Sequence, residues 1–299
     1  MKRREFLVGS VAAVGSSTLL AGAGKLWAQP ADAAKLERVA IMSRSFNPAL
    51  KSSAHPDDPK RTLDILDFPD MVAERYGVHH VEFQHSDFVS TENDYLEEFR
   101  GRVERAKSLI NQVNVEFGAM NISTPDPVVR LEAIDLIKKW VDHAATLGSP
   151  RVMLNQGGLE PEVRSAAIES LKTISHYAKT KNVLITLENR DDGGKGDVAR
   201  ATWEVTVEVI KAAGIWANPD VGNFPNNEAR AAGLRAMYPL SSGSSHCHYN
   251  PEKYSEAAAI KISKEVGYKG LYSIEAEGSN GPDPYVSVQT ILDELLRDI

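Results

Sequence analysis

RVMLNQGGLEPEVRSAAIESLKTISHYAKTKNVLITLE, residues 151–188, holds one complete strand–helix–strand unit. Arg151–Asn155 and Val183–Glu188 are short runs of branched aliphatic residues bounded by polar turns, as buried strands are. Between them Val163, Ala167, Ile168, Leu171 and Ile174 recur at helix spacing, which predicts an amphipathic helix over Glu162–Lys179.

The same unit repeats in both directions along the chain. Further strands are expected at Arg38–Ser43, Val78–Gln84, Val113–Met120, Ile215–Asp220, Ser245–Tyr249 and Leu271–Glu277. Val128, Leu131, Ile134, Ile137 and Val141 place a second long helix over Pro127–Leu147. Thr124-Pro125-Asp126-Pro127 is a helix start, and Gly148 and Gly214 are helix stops. Strand beginnings recur every ~30–40 residues, the period that eight βα units impose on a barrel of roughly 250 residues. Eight strands alternating with helices imply a parallel sheet. No Gly-x-Gly-x-x-Gly follows the first strand, so the dinucleotide-binding alternative lacks its main signal. The fold expected is an α/β (β/α)8 TIM barrel, one domain over residues 34–299. Its least strand-like member is the seventh, where Ser241-Ser242-Gly243-Ser244-Ser245 is poor in strand formers.

Residues 1–33 read differently. Arg3 and Arg4 precede an apolar run rich in Ala, Gly, Val and Ser, and small residues follow around Ala28, Ala31 and Ala33. These are the parts of a secretory signal, and Arg-Arg-x-Phe-Leu has the form of a twin-arginine one. Export to the periplasm is therefore expected, with no stable membrane anchor in the mature chain. The net charge of −7 argues against nucleic acid as a partner, since that recognition needs clustered Lys and Arg. With Cys247 as its single cysteine, the chain can form neither an internal disulfide nor a thiolate-rich zinc site.

In a parallel barrel the chemistry sits where strands end and βα loops begin. Strand five ends on Glu188-Asn189-Arg190 and strand six on Asp220-Val221-Gly222-Asn223. Strand seven carries His246-Cys247-His248, and strand eight ends on Glu275. Four adjacent strands thus bring three carboxylates and a histidine pair to one rim. Such an oxygen-rich set suits Mn²⁺, Mg²⁺ or Co²⁺ better than a thiophilic metal. A lone Glu at a strand end is more often solvated, and Asp or Asn there is often a turn residue. The weight lies in the four positions together. His85, Glu82 and Gln84, on strand two and just after it, are further candidates for substrate contact. His79, His80, His143 and His176 fit structural roles.

The strings Leu187-Glu188-Asn189, Pro219-Asp220-Val221-Gly222-Asn223-Phe224-Pro225 and Gly267-Tyr268-Lys269-Gly270-Leu271-Tyr272-Ser273-Ile274-Glu275 resemble the xylose-isomerase-like barrels known as sugar phosphate isomerases/epimerases. The twin-arginine start is similar to that of an exported bacterial branch. The resemblance implies Glu188, Asp220, a strand-seven histidine and Glu275 as ligands of one divalent metal ion (Mn, Mg, Co or Zn). It also implies that Glu188 and Glu275 move the proton. Spacing from Asp220 favours His246 as the ligand, with His248 the alternative. His248, Asn223, Arg190, Glu82 and His85 are then the candidates for substrate binding. The chain departs from the family at three places: Asn223 and Arg190 each stand where relatives often have His, and His246-Cys247-His248 stands where many have Lys.

The expected activity is enediolate proton transfer on a non-phosphorylated ketose or keto-glycoside, giving isomerisation or epimerisation. A 3-keto-glycoside lyase on the same site and a non-catalytic carbohydrate-binding barrel are the alternatives. A DNA-repair-type hydrolase on this barrel would need more ligands and a basic face. The partner expected is a small carbohydrate, and homo-oligomerisation stays open.

Overall fold

The computed structural model describes residues 30–51, 57–118, 120–155, 157–190, 201–248, 250, 252–276 and 283–299. Most of the expected export signal and His55 lie outside them. Eight strands run in chain order: β1 (Val39–Met42), β2 (His80–Gln84), β3 (Leu109–Val115), β4 (Arg151–Leu154), β5 (Leu184–Glu188), β6 (Trp216–Asn218), β7 (Ser244–Cys247) and β8 (Leu271–Ile274). All neighbours pair in parallel in the order β6-β5-β4-β3-β2-β1-β8-β7. The last seam, between β6 and β7, closes through isolated bridges at Ala217–Ser241 and Asp220–His246. There the His246 amide donates to the Pro219 carbonyl (2.9 Å) and the Val221 amide to the His246 carbonyl (3.2 Å). The β5–β6 ladder ends at Asn218, and Pro219, which has no amide hydrogen to donate, follows it. The result is the (β/α)8 TIM barrel that the alternation of strands and helices predicts.

Helices α1 (Pro30–Leu36), α2 (Phe68–Tyr76), α3 (Asn93–Arg105), α4 (Pro127–Leu147), α5 (Pro161–Thr180), α6 (Trp203–Ala213), α7 (Asn227–Met237), α8 (Glu256–Glu265) and α9 (Pro284–Asp298) surround or flank the strands. The expected start and stops hold. The Asp126 carboxylate accepts from the Val128 (2.8 Å) and Val129 (3.4 Å) amides. Gly148 and Gly214 end α4 and α6 with φ of 79° and 65°, a conformation that a Cβ disfavours.

Two local expectations are corrected. Strand three runs over Leu109–Val115, not Val113–Met120. Lys107 turns the chain sharply after α3 (φ 54°), and the Ser108 amide returns to the Val103 carbonyl, so extended backbone starts four residues early. On α4, Val128 and Leu131 are each 62% exposed; the buried face is Ala133, Ile134, Ile137, Trp140, Val141, Ala144 and Leu147. The apolar stripe begins one turn before anything packs on it.

Candidate metal centre and active site

Strand geometry brings the four rim positions to one point. Glu188, Asp220, His246 and Glu275 are all buried, and one ligand atom from each lies within 4.8 Å of the others. His246 Nδ1 sits 2.6 Å from Glu188 Oε1, 3.1 Å from Glu275 Oε2 and 3.8 Å from Asp220 Oδ2.

Each glutamate divides its oxygens in the same way. In Glu188, Oε1 faces His246 and Oε2 faces the Arg190 guanidinium at 3.0 Å. In Glu275, Oε2 faces His246 and Oε1 faces Arg44 at 3.0 Å. Arg44 and Arg190 therefore set the rotation of the two carboxylates from opposite sides of the mouth.

Asp220 is held by its own turn. Its Oδ1 accepts from the amides of Gly222 (2.6 Å) and Asn223 (3.2 Å), and Oδ2 from Asn223 Nδ2 (2.9 Å). A Cβ on Gly222 would lie 2.8 Å from the His248 ring, so only glycine lets that ring approach. The His248 Nε2 reaches Asp220 Oδ2 at 2.9 Å. Asn189 stitches β5 to β6, donating to the carbonyls of Asp220 (3.0 Å) and Asn223 (2.9 Å) and accepting from the Asp220 amide (2.8 Å).

The electrostatics follow from four buried carboxylates around two imidazoles. Burial pushes Glu188 up to about 7; Arg190 pulls against this, Asp220 adds to it and His246 opposes it. Burial also opposes ionisation of Asp220 and Glu275, but His248 and His246 outweigh it and hold both below the usual range. Burial would lower His246, yet Glu82 and Glu188 raise it well above its ordinary value. His248 is carried to about 10 against burial by Asp220 and Glu275. Glu188, Asp220, His246 and Glu275 together are a group that could hold a metal ion.

The candidate substrate contacts divide into three groups. His248, Asn223 and Arg190 stand at the cluster. Glu82 does not face the mouth: it is fully buried below His246, with Oε1 2.7 Å from Nε2, because its side chain points into the barrel interior. His85 is half-buried away from the cluster, its ring 4.8 Å from Phe117 and 5.4 Å from Trp140, with Nδ1 accepting from the Glu116 amide (3.3 Å). It belongs to the wall of the mouth.

Sequence reading missed Arg44, Glu116 and Asn155. Glu116 Oε1 pairs with Arg190 (3.3 Å) and accepts from Asn155 Nδ2 (2.5 Å). All three follow the ends of β1, β3 and β4 by one or two residues. The displaced β3 hid Glu116 in the middle of a supposed strand; correct strand ends would have revealed it.

A family model described as a xylose isomerase-like TIM barrel matches residues 71–295. No curated protein matches the chain in sequence. Among solved structures, an L-ribulose 3-epimerase is 15% identical with a TM-score of 0.69, covering 87% of this chain and 94% of its own. A D-psicose 3-epimerase from Clostridium cellulolyticum H10 is 13% identical with a TM-score of 0.66, covering 87% and 95%. A D-allulose 3-epimerase from Methylomonas sp. is 13% identical with a TM-score of 0.67, covering 88% and 98%. At these identities the likeness is one of fold, and the extent of the family match makes this chain a member of the xylose isomerase-like TIM-barrel family.

Proposed function

We propose that the chain is a divalent-metal-dependent sugar isomerase or epimerase acting on a non-phosphorylated ketose or keto-glycoside. The observation that carries the reading is the pair Glu188 and Glu275, delivered from β5 and β8 to one buried centre, each with one oxygen on it. The fold it shares with several ketose 3-epimerases agrees with it.

The donor set fits a hard or borderline divalent ion: three carboxylates, one imidazole nitrogen and no thiolate. Glu188, Asp220, His246 and Glu275 would hold it. Such an ion, when bound, supplies Lewis-acid stabilisation of negative charge on substrate oxygens. The side chains supply the rest. One glutamate takes the proton from the carbon beside the carbonyl, leaving an enediolate. The other returns a proton to the opposite face, which inverts that carbon, or to the neighbouring carbon, which moves the carbonyl. Arg190 and Arg44 keep the two carboxylates rotated toward the centre. His248, beside Asp220 and Glu275, is placed to meet a substrate hydroxyl.

The test is solvent-deuterium exchange over a panel of ketoses and 3-keto-glycosides, with protein reconstituted in Mn²⁺, Co²⁺, Mg²⁺ or Zn²⁺. Deuterium should enter the carbon beside the carbonyl, and Glu188→Gln or Glu275→Gln should slow this by ~10²–10⁴-fold. Metal and sugar binding without exchange would leave a carbohydrate-binding barrel. Exchange accompanied by loss of a β-substituent would make the enzyme a lyase.

The unphosphorylated substrate rests on export to the periplasm, which the paired Arg3 and Arg4 support. Cell fractionation should find the wild type in the periplasm and an Arg3→Lys, Arg4→Lys variant retained in the cytoplasm. Equal periplasmic accumulation removes the twin-arginine route.

A further inference from the structure

Beneath the metal centre the barrel interior is polar. Asn111, Gln112 and Asn114 are buried on β3 and all turn to Glu82. Alternation along a regular strand would send neighbours Asn111 and Gln112 to opposite faces. The register between β2 and β3 shifts after Val81: Val81 pairs with Ile110, but Glu82 pairs with Gln112. Asn111 is the extra residue of this bulge, and the bulge lets both amides reach one carboxylate.

Four contacts converge on Glu82, three on Oε1 and one on Oε2. Oε1 accepts from Gln112 Nε2 (3.0 Å) and Asn114 Nδ2 (2.7 Å) and lies 2.7 Å from His246 Nε2. Oε2 accepts from Asn111 Nδ2 (2.8 Å). Amide nitrogens can only donate, and two of them already occupy Oε1, which leaves that oxygen no place for a proton of its own toward His246. Gln112 Nε2 also lies 3.3 Å from His246 Nε2, but its two hydrogens go to Glu82 Oε1 and Asn218 Oδ1 (3.2 Å). The hydrogen between Glu82 and His246 therefore belongs to the imidazole.

We propose that Glu82 is a positioning residue that fixes the tautomer of His246: Nε2 carries the hydrogen, and Nδ1 presents its lone pair to the metal among Glu188, Asp220 and Glu275. The inference rests on the metal-dependent reading above. It also explains why a fully buried carboxylate stands where it cannot touch substrate. A carboxylate behind a ligating imidazole orients the ring and strengthens it as a donor. The support extends one step further. Asn111 Oδ1 accepts from the Arg151 guanidinium (3.3 Å), which also donates to the Ser242 carbonyl (2.7 Å), tying the amide bed to the N-terminal face of the barrel.

Nitrogen-15 NMR of histidine-labelled full-length protein tests the idea on the wild type itself, with His246 assigned by its loss in His246→Gln. On titration with Zn²⁺ the Nδ1 resonance of His246 should move to a metal-bound position while Nε2 keeps a protonated shift. Movement of Nε2 with a protonated Nδ1 overturns the inference and leaves the metal reading standing. Absence of any Zn²⁺ binding overturns both. In parallel, Glu82→Gln should weaken Co²⁺ or Zn²⁺ binding by ~10–100-fold in chelator competition, with the circular dichroism spectrum retained. Asn114→Ala, which leaves the carboxylate in place, should weaken it less. Unchanged affinity in a folded Glu82→Gln variant also overturns the proposal.

Discussion

Two groups of ionisable and amide side chains occupy the barrel at different depths. Strands β5–β8 carry theirs near the strand ends: Glu188, Asp220, His248 and Glu275 all stand at or just past a C-terminal edge, with His246 one residue inside. Strands β2 and β3 instead bury Glu82, Asn111, Gln112 and Asn114 within the strands, below the site. The first group meets at one buried centre, and the second packs behind one of its members, His246. The difference shows where catalytic design is visible in a single sequence and where it is hidden.

On β7 the two histidines face the same cluster from different depths. His246 is fully buried with Nδ1 on the centre, whereas His248 reaches Asp220 from the rim. His246→Ala deletes a ligand and uncovers Glu82, so metal affinity should fall by orders of magnitude, as it should in Asp220→Ala. His248→Ala should keep the ion and chiefly raise KM or lower kcat. Metal titration of the three variants decides the division. If His248→Ala loses the ion while His246→Ala keeps it, the ligand is two residues further along. Full affinity in both would remove β7 from the site.

What the sequence made legible follows the same line. Branched aliphatic runs spaced by amphipathic helices specify the barrel because each strand must be apolar toward its helices. Carboxylates at strand ends are readable because the fold places those positions on one rim, whatever lies in the loops. Leu109–Val115 was harder. Its polar residues face the barrel axis, so LINQVNV has neither the alternation nor the continuous apolarity that mark a strand. The sequence pattern therefore places the strand four residues late and puts Glu116 inside it. From the sequence Glu82 reads as a substrate contact, since its partners come from a bulge that no local pattern announces. The exposure of Val128 and Leu131 was equally invisible, because helix periodicity gives a face but not what covers it.

The sharpest contrast within the barrel is a pair of buried glutamates. Burial would raise Glu82, but His246, Asn114 and Gln112 outweigh it and hold it at about 2. Glu256, at the start of α8, is pushed up to about 7 by burial, which the Cys247 thiol and the charge of His248 do not offset. The sign of the consequence is fixed by linkage. Between its ordinary 4.5 and about 7 the folded chain binds more protons at Glu256 than the unfolded chain does, so stability falls as pH rises through that window. The cost is absent below 4.5 and complete above 7. Glu256→Gln cannot ionise and is of similar size, so it should be more stable than the wild type at pH 8, by up to about 3 kcal/mol at 1.36 kcal/mol per pKa unit. At pH 4.5 the gain should nearly vanish. Urea denaturation of both proteins at the two pH values measures it. A gain of equal size at both would mean that the substitution relieves packing and not ionisation, and Glu256 would then sit in a site as accommodating as that of Glu82.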